Sequence, residues 1–220
     1  MKRTVFTAAV TVMALALFAP SPSQAATGCT LNDPDRDVMR IFPDATAYVT
    51  DFIAISERGG DDLTERIEAQ LGDTLDAVFE AVDVPYAYYT VLDESEVVGR
   101  VHGVNQKGMF GGMQLILATD PEGRIVDFYY QKLSSPEAGK FRNASFTDLF
   151  TGLTLEDLLA GHEQSESDTA VSPLAAIEDP SKESGEDFYA TLRGLRKNLI
   201  LLHEFLLTPE SAPDTEDNDE

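Results

Sequence analysis

The sequence predicts an α+β fold, with N-terminal helices, an antiparallel sheet of at least four strands and a long C-terminal helix. Apolar residues recur at helical spacing as far as Pro85, and they alternate with period two from Tyr86 to Leu133. Helical spacing returns at Glu186. Short polar turns separate the strand-like runs, and such turns favour antiparallel pairing.

Residues 26–85 are predicted to form an N-terminal helical section with three helices. They cover residues 35–42, 62–71 and about 74–82. The first follows Pro34, a residue favoured at the start of a helix. The second ends at Gly72, which suits a left-handed C-cap.

Residues 86–208 are predicted to form the main domain. Its strands cover 86–92, 97–104, 113–119 and 125–133. Two short helices or turns at 146–150 and 154–159 and a polar surface loop at 161–184 follow, and the final helix covers 186–207. Residues 209–220 are acidic without any basic residue and are predicted to be disordered.

The final helix carries a heptad-like series of leucines and a basic cluster. Leu192, Leu195 and Leu199 belong to a stripe that predicts packing on the sheet. The basic cluster, Arg193, Arg196 and Lys197, lies on one helix face. Three alternatives remain for it: it offsets local acids, binds a phosphate, or is simply solvated.

The N-terminus has the pattern of a secretory signal peptide. Lys2 and Arg3 precede an apolar run, and Ser23-Gln24-Ala25 fits the small-residue cleavage pattern. We therefore expect residues 1–25 to be removed and the mature protein to be extracytoplasmic, in the periplasm or at the cell surface.

Cys29 is the only cysteine, so an intramolecular disulfide is excluded. Ala26-Thr27-Gly28-Cys29 is similar to a bacterial lipobox, with Ala26 at the usual leucine position. Two alternatives stay open, a lipid anchor on Cys29 or a free or intermolecularly paired thiol near a flexible end. A lipid here is the only membrane attachment that the sequence suggests.

The charge excludes several function classes. The formal net charge is -23, so the surface repels nucleic acid phosphates and no nucleic acid partner is expected. The histidines, His102, His162 and His203, lack metal-binding spacing. The sequence also suggests no Ser-His-Asp or Cys-His arrangement, so no catalytic residue is assigned.

Clustered glycines at the entry to the third predicted strand are the first sign of a binding site. Gly111 and Gly112 would let the backbone approach a flat ligand, although a flexible hairpin turn explains them equally. The turn from Ser134 to Lys140 offers hydroxyls, backbone N–H groups and one ammonium, which suit an anionic or carbonyl-rich ligand.

These segments resemble the FMN-binding domain family, which includes flavin-carrying subunits of Rnf-type and sodium-pumping NADH:quinone reductase complexes. The matching stretches read EVVGRVHGV, GMFGGMQLILATDPEGRIVDFYY and SSPEAGK. The resemblance implies FMN as the cofactor. It assigns these binding residues: Gly111, Gly112, Ser134, Ser135, Pro136, Gly139, Lys140, Ser184 and Gly185.

The sequence departs from the family at the flavin attachment site. Members with covalent flavin have a Ser-Gly-Ala-Thr motif whose threonine is esterified by the FMN phosphate, and here Ser184-Gly185 is followed by Glu186-Asp187. Because a carboxylate cannot form that ester, any FMN is expected to bind non-covalently. A Gly112→Val change should then weaken its binding.

Two functions follow from the resemblance. The first is a non-covalent flavin electron carrier that serves redox partner proteins of a membrane-associated complex. The alternative is a cofactor-free accessory or assembly partner that docks through its leucine-rich last helix.

Overall fold

A five-stranded antiparallel meander lies at the centre of the computed structural model, which describes residues 29–75, 78, 83–160 and 172–208. The strands follow one another across the sheet in chain order. They are β1 (Ala47–Ile53), β2 (Tyr86–Asp93), β3 (Glu96–Gly108), β4 (Gly111–Thr119) and β5 (Ile125–Lys132). The α+β fold class and all four predicted strands are confirmed.

β1 corrects the prediction that residues 26–85 form a helical section. Tyr48 lies opposite Val91 of β2, so this segment supplies an edge strand of the sheet. Its side chains do not alternate cleanly between buried and exposed, and Val49 and Phe52 are about half exposed. A period-two pattern was therefore absent, and pairing with β2 decides the conformation.

Six α-helices surround the sheet in the described part of the chain. They are α1 (Pro34–Ile41), α2 (Gly60–Leu71), α3 (Ala138–Phe141), α4 (Ala144–Thr147), α5 (Leu155–Ala160) and α6 (Gly185–Leu202). Three-residue to five-residue turns of other helix types occur at Ile55–Glu57, Asp148–Phe150, Pro173–Ala176 and His203–Leu207. The predicted helices of residues 35–42, 62–71 and 186–207 are confirmed within a few residues.

Helix ends follow the local chemistry that the sequence indicated. The Asp33 carboxylate accepts a hydrogen bond from the Arg36 N–H at 3.2 Å, and Pro34 begins α1. Gly72 ends α2 with φ of 70°, the left-handed conformation that glycine adopts most readily.

Several predictions fall on residues that the structure does not describe. The signal peptide, residues 1–25, and the acidic tail, residues 209–220, lie outside the described ranges. So do residues 161–171 with His162, and most of the helix predicted at 74–82.

The two faces of the sheet have separate apolar cores. α2 and α6 cover one face, where Leu63, Leu115 and Leu199 are buried in a single large cluster. The segment from Cys29 through α1 covers the other face, with Val38 and Tyr89 in a smaller cluster. Both faces of the central strands are therefore shielded from water.

The leucine stripe of α6 packs on the sheet, as predicted. Leu195, Leu199 and Leu202 are each at most 2% exposed. This burial corrects the idea that the leucine-rich helix is a docking face for a partner, because these side chains are already inside the protein's own core.

Cys29 packs against β3 on the smaller core. It is 4% exposed, and its Sγ lies so close to Gly103 that a Cβ added there would be 2.9 Å away. Lipidation of Cys29 stays a prediction, and it would require the sulfur to leave this contact.

Candidate functional site

The structure brings three predicted segments together at one end of the sheet. Lys107 pairs with Gly112 across the β3–β4 hairpin, and Gln114 pairs with Lys132, which places the hairpin tip beside the chain that leaves β5. Residues 182–187 at the start of α6 contact both. We call this meeting of residues 108–112, 134–140 and 182–187 the three-segment junction.

The junction contains every residue that the resemblance assigned to FMN. These are Gly111 and Gly112 of the hairpin, Ser134, Ser135, Pro136, Gly139 and Lys140 of the loop, and Ser184 and Gly185 at α6. Their role in binding FMN stays a prediction, and the polar contacts decide what the site can hold.

Asp187 fastens the hairpin tip to α6. Its Oδ1 accepts a hydrogen bond from the Met109 N–H at 2.7 Å, and the residue is 1% exposed. Gly108 leaves room for this carboxylate, since an added Cβ would be 2.7 Å from Oδ1. The residue at the family's attachment position is therefore a structural part of the fold here.

Glu137 occupies the donors of the loop and of the chain before α6. Its Oε1 accepts from the Lys140 Nζ at 2.5 Å, and its Oε2 accepts from the N–H groups of Lys182 and Glu183, each at 2.9 Å. The Lys140 ammonium and then these N–H groups lower the pKa of Glu137 to about 2. Glu137 thus holds the place that an external anion would take.

Two glycines of the junction, Gly111 and Gly139, are open on their side-chain side in the described part of the chain. Gly111 has φ of 125° and nothing within 4 Å of an added Cβ, so its backbone conformation explains the glycine. Gly139 likewise has nothing within 4 Å of an added Cβ. Neither glycine is needed to relieve crowding.

These residues do not fit the phosphate of FMN. The donors that would hold it, Lys140 and the N–H groups before α6, already bind Glu137. Among the described residues, the buried Oδ2 of Asp187 and Oγ of Ser184 lack hydrogen-bond partners. An unpartnered carboxylate oxygen repels a phosphate. The junction therefore disfavours phosphate binding for two reasons, the occupied donors and this repulsion.

Thr191 is not an alternative attachment point. It lies inside α6, fully buried, where its Oγ1 donates to the Asp187 carbonyl at 2.7 Å. The same Oγ1 is 2.8 Å from the Tyr130 hydroxyl. Its hydroxyl is therefore engaged within the core.

The basic cluster on α6 is not simply solvated. The Arg193 side chain is 17% exposed, and Arg196 and Lys197 are 9% and 5% exposed. Arg193 donates to the Asp73 carboxylate at 3.1 Å, the Gln106 amide oxygen at 2.8 Å and the Thr74 carbonyl at 2.7 Å. Arg193 therefore offsets a local acid, which is one of the alternatives the sequence left open.

Arg196 has a different environment one turn further along α6. In the described part of the chain, its Nε is buried without a hydrogen-bond partner. Burial and the neighbouring Arg193 charge lower the pKa of Arg196, while Asp73 raises it more weakly. It lines a cavity of about 410 Å³ with Arg193, Tyr189 and four leucines. We call this cavity the arginine cleft.

α6 also carries a buried polar contact with the sheet. The His102 Nδ1 lies 2.6 Å from the Asn198 Oδ1, and the imidazole stacks on the Tyr88 ring with centroids 4.1 Å apart. Burial lowers the pKa of His102 to about 3. His102 is therefore a neutral packing residue, whereas His203 is exposed at the end of α6.

Sequence reasoning missed the roles of Glu137 and Arg196. Glu137 replaces a family glycine, and this change was a visible signal of an internal anion. Arg196 lies four residues after Leu192 and three before Leu199, spacing that places it on an apolar face. That spacing was the available sign that its guanidinium would be buried.

Comparison with models of known protein families and with curated proteins finds no match to this chain. The resemblance to FMN-binding domains thus stays a prediction.

Residues 29–75, 78, 83–160 and 172–208 contain no helix with the length and apolar character that crossing a membrane requires. In these ranges no group of three or more His, Cys, Asp or Glu side chains could hold a metal ion.

Proposed function

We propose that this chain is an exported accessory protein that works by binding a partner and not by carrying a flavin. One observation carries the proposal: carboxylates of the chain itself occupy the donors that an FMN phosphate would need. Glu137 accepts hydrogen bonds from the Lys140 ammonium and from two backbone N–H groups, and Asp187 accepts one from the Met109 N–H. Partners are proteins of a membrane-associated redox complex, by analogy with the family that the sequence resembles.

The hairpin tip is the part of the junction that suits a protein contact. Met109 and Phe110 are each 45% exposed although both are large and apolar. Asp187 fixes the backbone of this tip, which lowers the ordering cost of binding. With the leucine stripe of α6 buried, this tip replaces it as the proposed docking surface.

A non-covalent flavin carrier is the second candidate. It is favoured by the meeting of all three predicted segments at one end of the sheet. In that case the isoalloxazine ring would lie near Phe110 and the loop, and the phosphate would have to remain in solvent or displace Glu137.

The absorbance spectrum of protein purified from its native host separates the two candidates. The accessory function predicts colourless protein and no quenching of FMN fluorescence when the flavin is titrated in. Yellow protein that loses its colour on acid precipitation would favour the second candidate. Colour retained by the denatured polypeptide would contradict both, since it requires a covalent bond.

A double variant tests the reason for the proposal. Glu137→Gly with Asp187→Thr removes both internal carboxylates, so FMN affinity should rise by about tenfold or more over wild type. The matched control is Glu137→Gln with Asp187→Asn, which removes both charges but keeps acceptors in place, so its FMN affinity should rise less than that of the first variant. Equal affinity of all three proteins would refute the role given to these carboxylates.

A further inference from the structure

The arginine cleft has the dimensions and the lining of a small-molecule site. Its volume is about 410 Å³, within the range of typical ligand cavities. The end of α2 forms one wall, and α5, the turn Pro173–Ala176 and the middle of α6 form the others. It lies beyond the junction along α6, so it is separate from the surface of the proposed function.

Arg196 supplies an unmatched positive charge in this cleft. The residue is 9% exposed, and within the described ranges its Nε has no hydrogen-bond partner. Asp73, the acid that raises the pKa of Arg196, already forms an ion pair with Arg193 at 3.1 Å. A buried N–H group without an acceptor is costly, and such groups are normally paired.

The remaining walls are mostly apolar. Leu71, Leu158, Leu174 and Leu192 line the cleft. Tyr189 also lines it and is 70% exposed, so its ring is available to a ligand from the solvent side. A small hydrated anion would leave these walls without contacts, whereas an anion with an apolar body would cover them.

The charge of the surroundings selects among anions. Asp73 also lines the cleft, and its carboxylate would repel a doubly charged group more than a singly charged one. Arg193 donates its hydrogen bonds to Asp73, Gln106 and Thr74, so Arg196 is the guanidinium left to bind a ligand. One carboxylate balances one guanidinium.

We propose that the arginine cleft binds a small molecule with one carboxylate and an apolar body, and that the Arg196 guanidinium donates to this carboxylate. The apolar body lies against the leucines and the Tyr189 ring. Asp73 keeps Arg193 in place beside the bound head group.

Binding of decanoate to the full mature chain, measured by calorimetry, tests the proposal. Arg196→Met keeps the length of the side chain and should weaken decanoate binding by about tenfold or more. Arg40→Met is the control, because it removes the same charge from an exposed residue on the opposite face of the sheet. It should change the affinity by less than about twofold.

Other ligands distinguish the contribution of the carboxylate to binding from that of the apolar body. Decanamide, which has no charge, and acetate, which has no apolar body, should each bind about tenfold more weakly than decanoate, or worse. Inorganic phosphate should not displace decanoate. If phosphate or acetate binds as tightly as decanoate, the site is a plain anion site and the proposal is wrong.

Two results would overturn the proposal directly. One is a wild-type protein that does not bind decanoate. The other is an Arg196→Met variant, folded by its melting transition, with unchanged affinity. A further control concerns Glu163, Glu166 and Asp168, which precede Leu174 in the chain. If their triple amide variant binds about tenfold more tightly than wild type, an internal carboxylate competes for Arg196, and an external ligand is not its partner.

Discussion

The start of α6 and its middle turns differ in whether their charged groups have hydrogen-bond partners. At the three-segment junction, Glu137 and Asp187 accept hydrogen bonds from an ammonium and from backbone N–H groups, so these particular donors are matched within the chain. In the arginine cleft, Arg193 is matched, whereas the buried Nε of Arg196 has no hydrogen-bond partner among the described residues. The difference teaches that, in a loop with the motif of an anion site, carboxylates of the chain itself can accept the hydrogen bonds that an external anion would accept. Unmatched donors then point to a ligand elsewhere on the same helix.

The largest expected effect concerns His102, whose burial between β3 and α6 favours the neutral form of its imidazole. Burial depresses its pKa from 6.5 to about 3, so the unfolded chain takes up a proton at pH values where the folded chain does not. Its stabilising contribution is complete above pH 6.5 and is lost as pH falls toward 3. The loss should be on the order of 4 kcal/mol in the free energy of unfolding.

Urea unfolding over this pH range checks the effect, with His102→Gln as the reference. The variant has no imidazole to titrate, so the wild type should lose stability relative to it as the pH falls. A constant difference between the two proteins would contradict the assigned pKa.

Gly108 tests how tightly Asp187 is held. A Gly108→Val side chain would meet both Asp187 Oδ1 and Met113 Cε, each 2.7 Å from the new Cβ. It should lower the free energy of unfolding by about 2–3 kcal/mol. Gly139→Val, with nothing within 4 Å of its Cβ, should cost about 1 kcal/mol or less. Equal costs in thermal unfolding would mean that Asp187 is free to move.

The two arginines of the cleft should respond with opposite sign. Arg193→Met removes three hydrogen bonds and should cost about 1–3 kcal/mol. Arg196→Met removes a buried charge whose Nε–H has no partner within the described ranges, and it should stabilise the ligand-free protein by about 1 kcal/mol. Denaturant midpoints measure both, and a loss of stability in Arg196→Met would show that the guanidinium is already satisfied.

The smallest effect is expected at Glu137. Its depressed pKa means that its contribution is present above the ordinary value near 4.5 and is lost as pH falls toward 2. Glu137→Gln should lower the melting temperature only slightly at neutral pH, because the surrounding solvent screens this contact. The difference from wild type should shrink in acid, and a difference that grows there would argue against the Lys140 contact.

Much of the fold was predictable because its signals are local. Strands β2 to β5 alternate between faces, Pro34 and Gly72 begin and end helices, and the leucines of α6 repeat at helical spacing. β1 was not predictable in this way, because an edge strand with exposed Val49 and Phe52 has no clear period. Its conformation depends on hydrogen bonds from β2, which lies more than thirty residues away in the chain.

The features of the candidate site likewise divide into those that the sequence predicts and those that depend on the tertiary structure. The amino-acid sequence alone determined which segments carry glycines, hydroxyls and acids, and it showed that Asp187 cannot form a phosphate ester. Only the tertiary structure decided that Glu137 reaches the N–H groups of Lys182 and Glu183. It also decided that the buried Nε of Arg196 has no hydrogen-bond partner in the described part of the chain. Charge balance is a property of distances between residues far apart in the chain, so composition and spacing do not determine it.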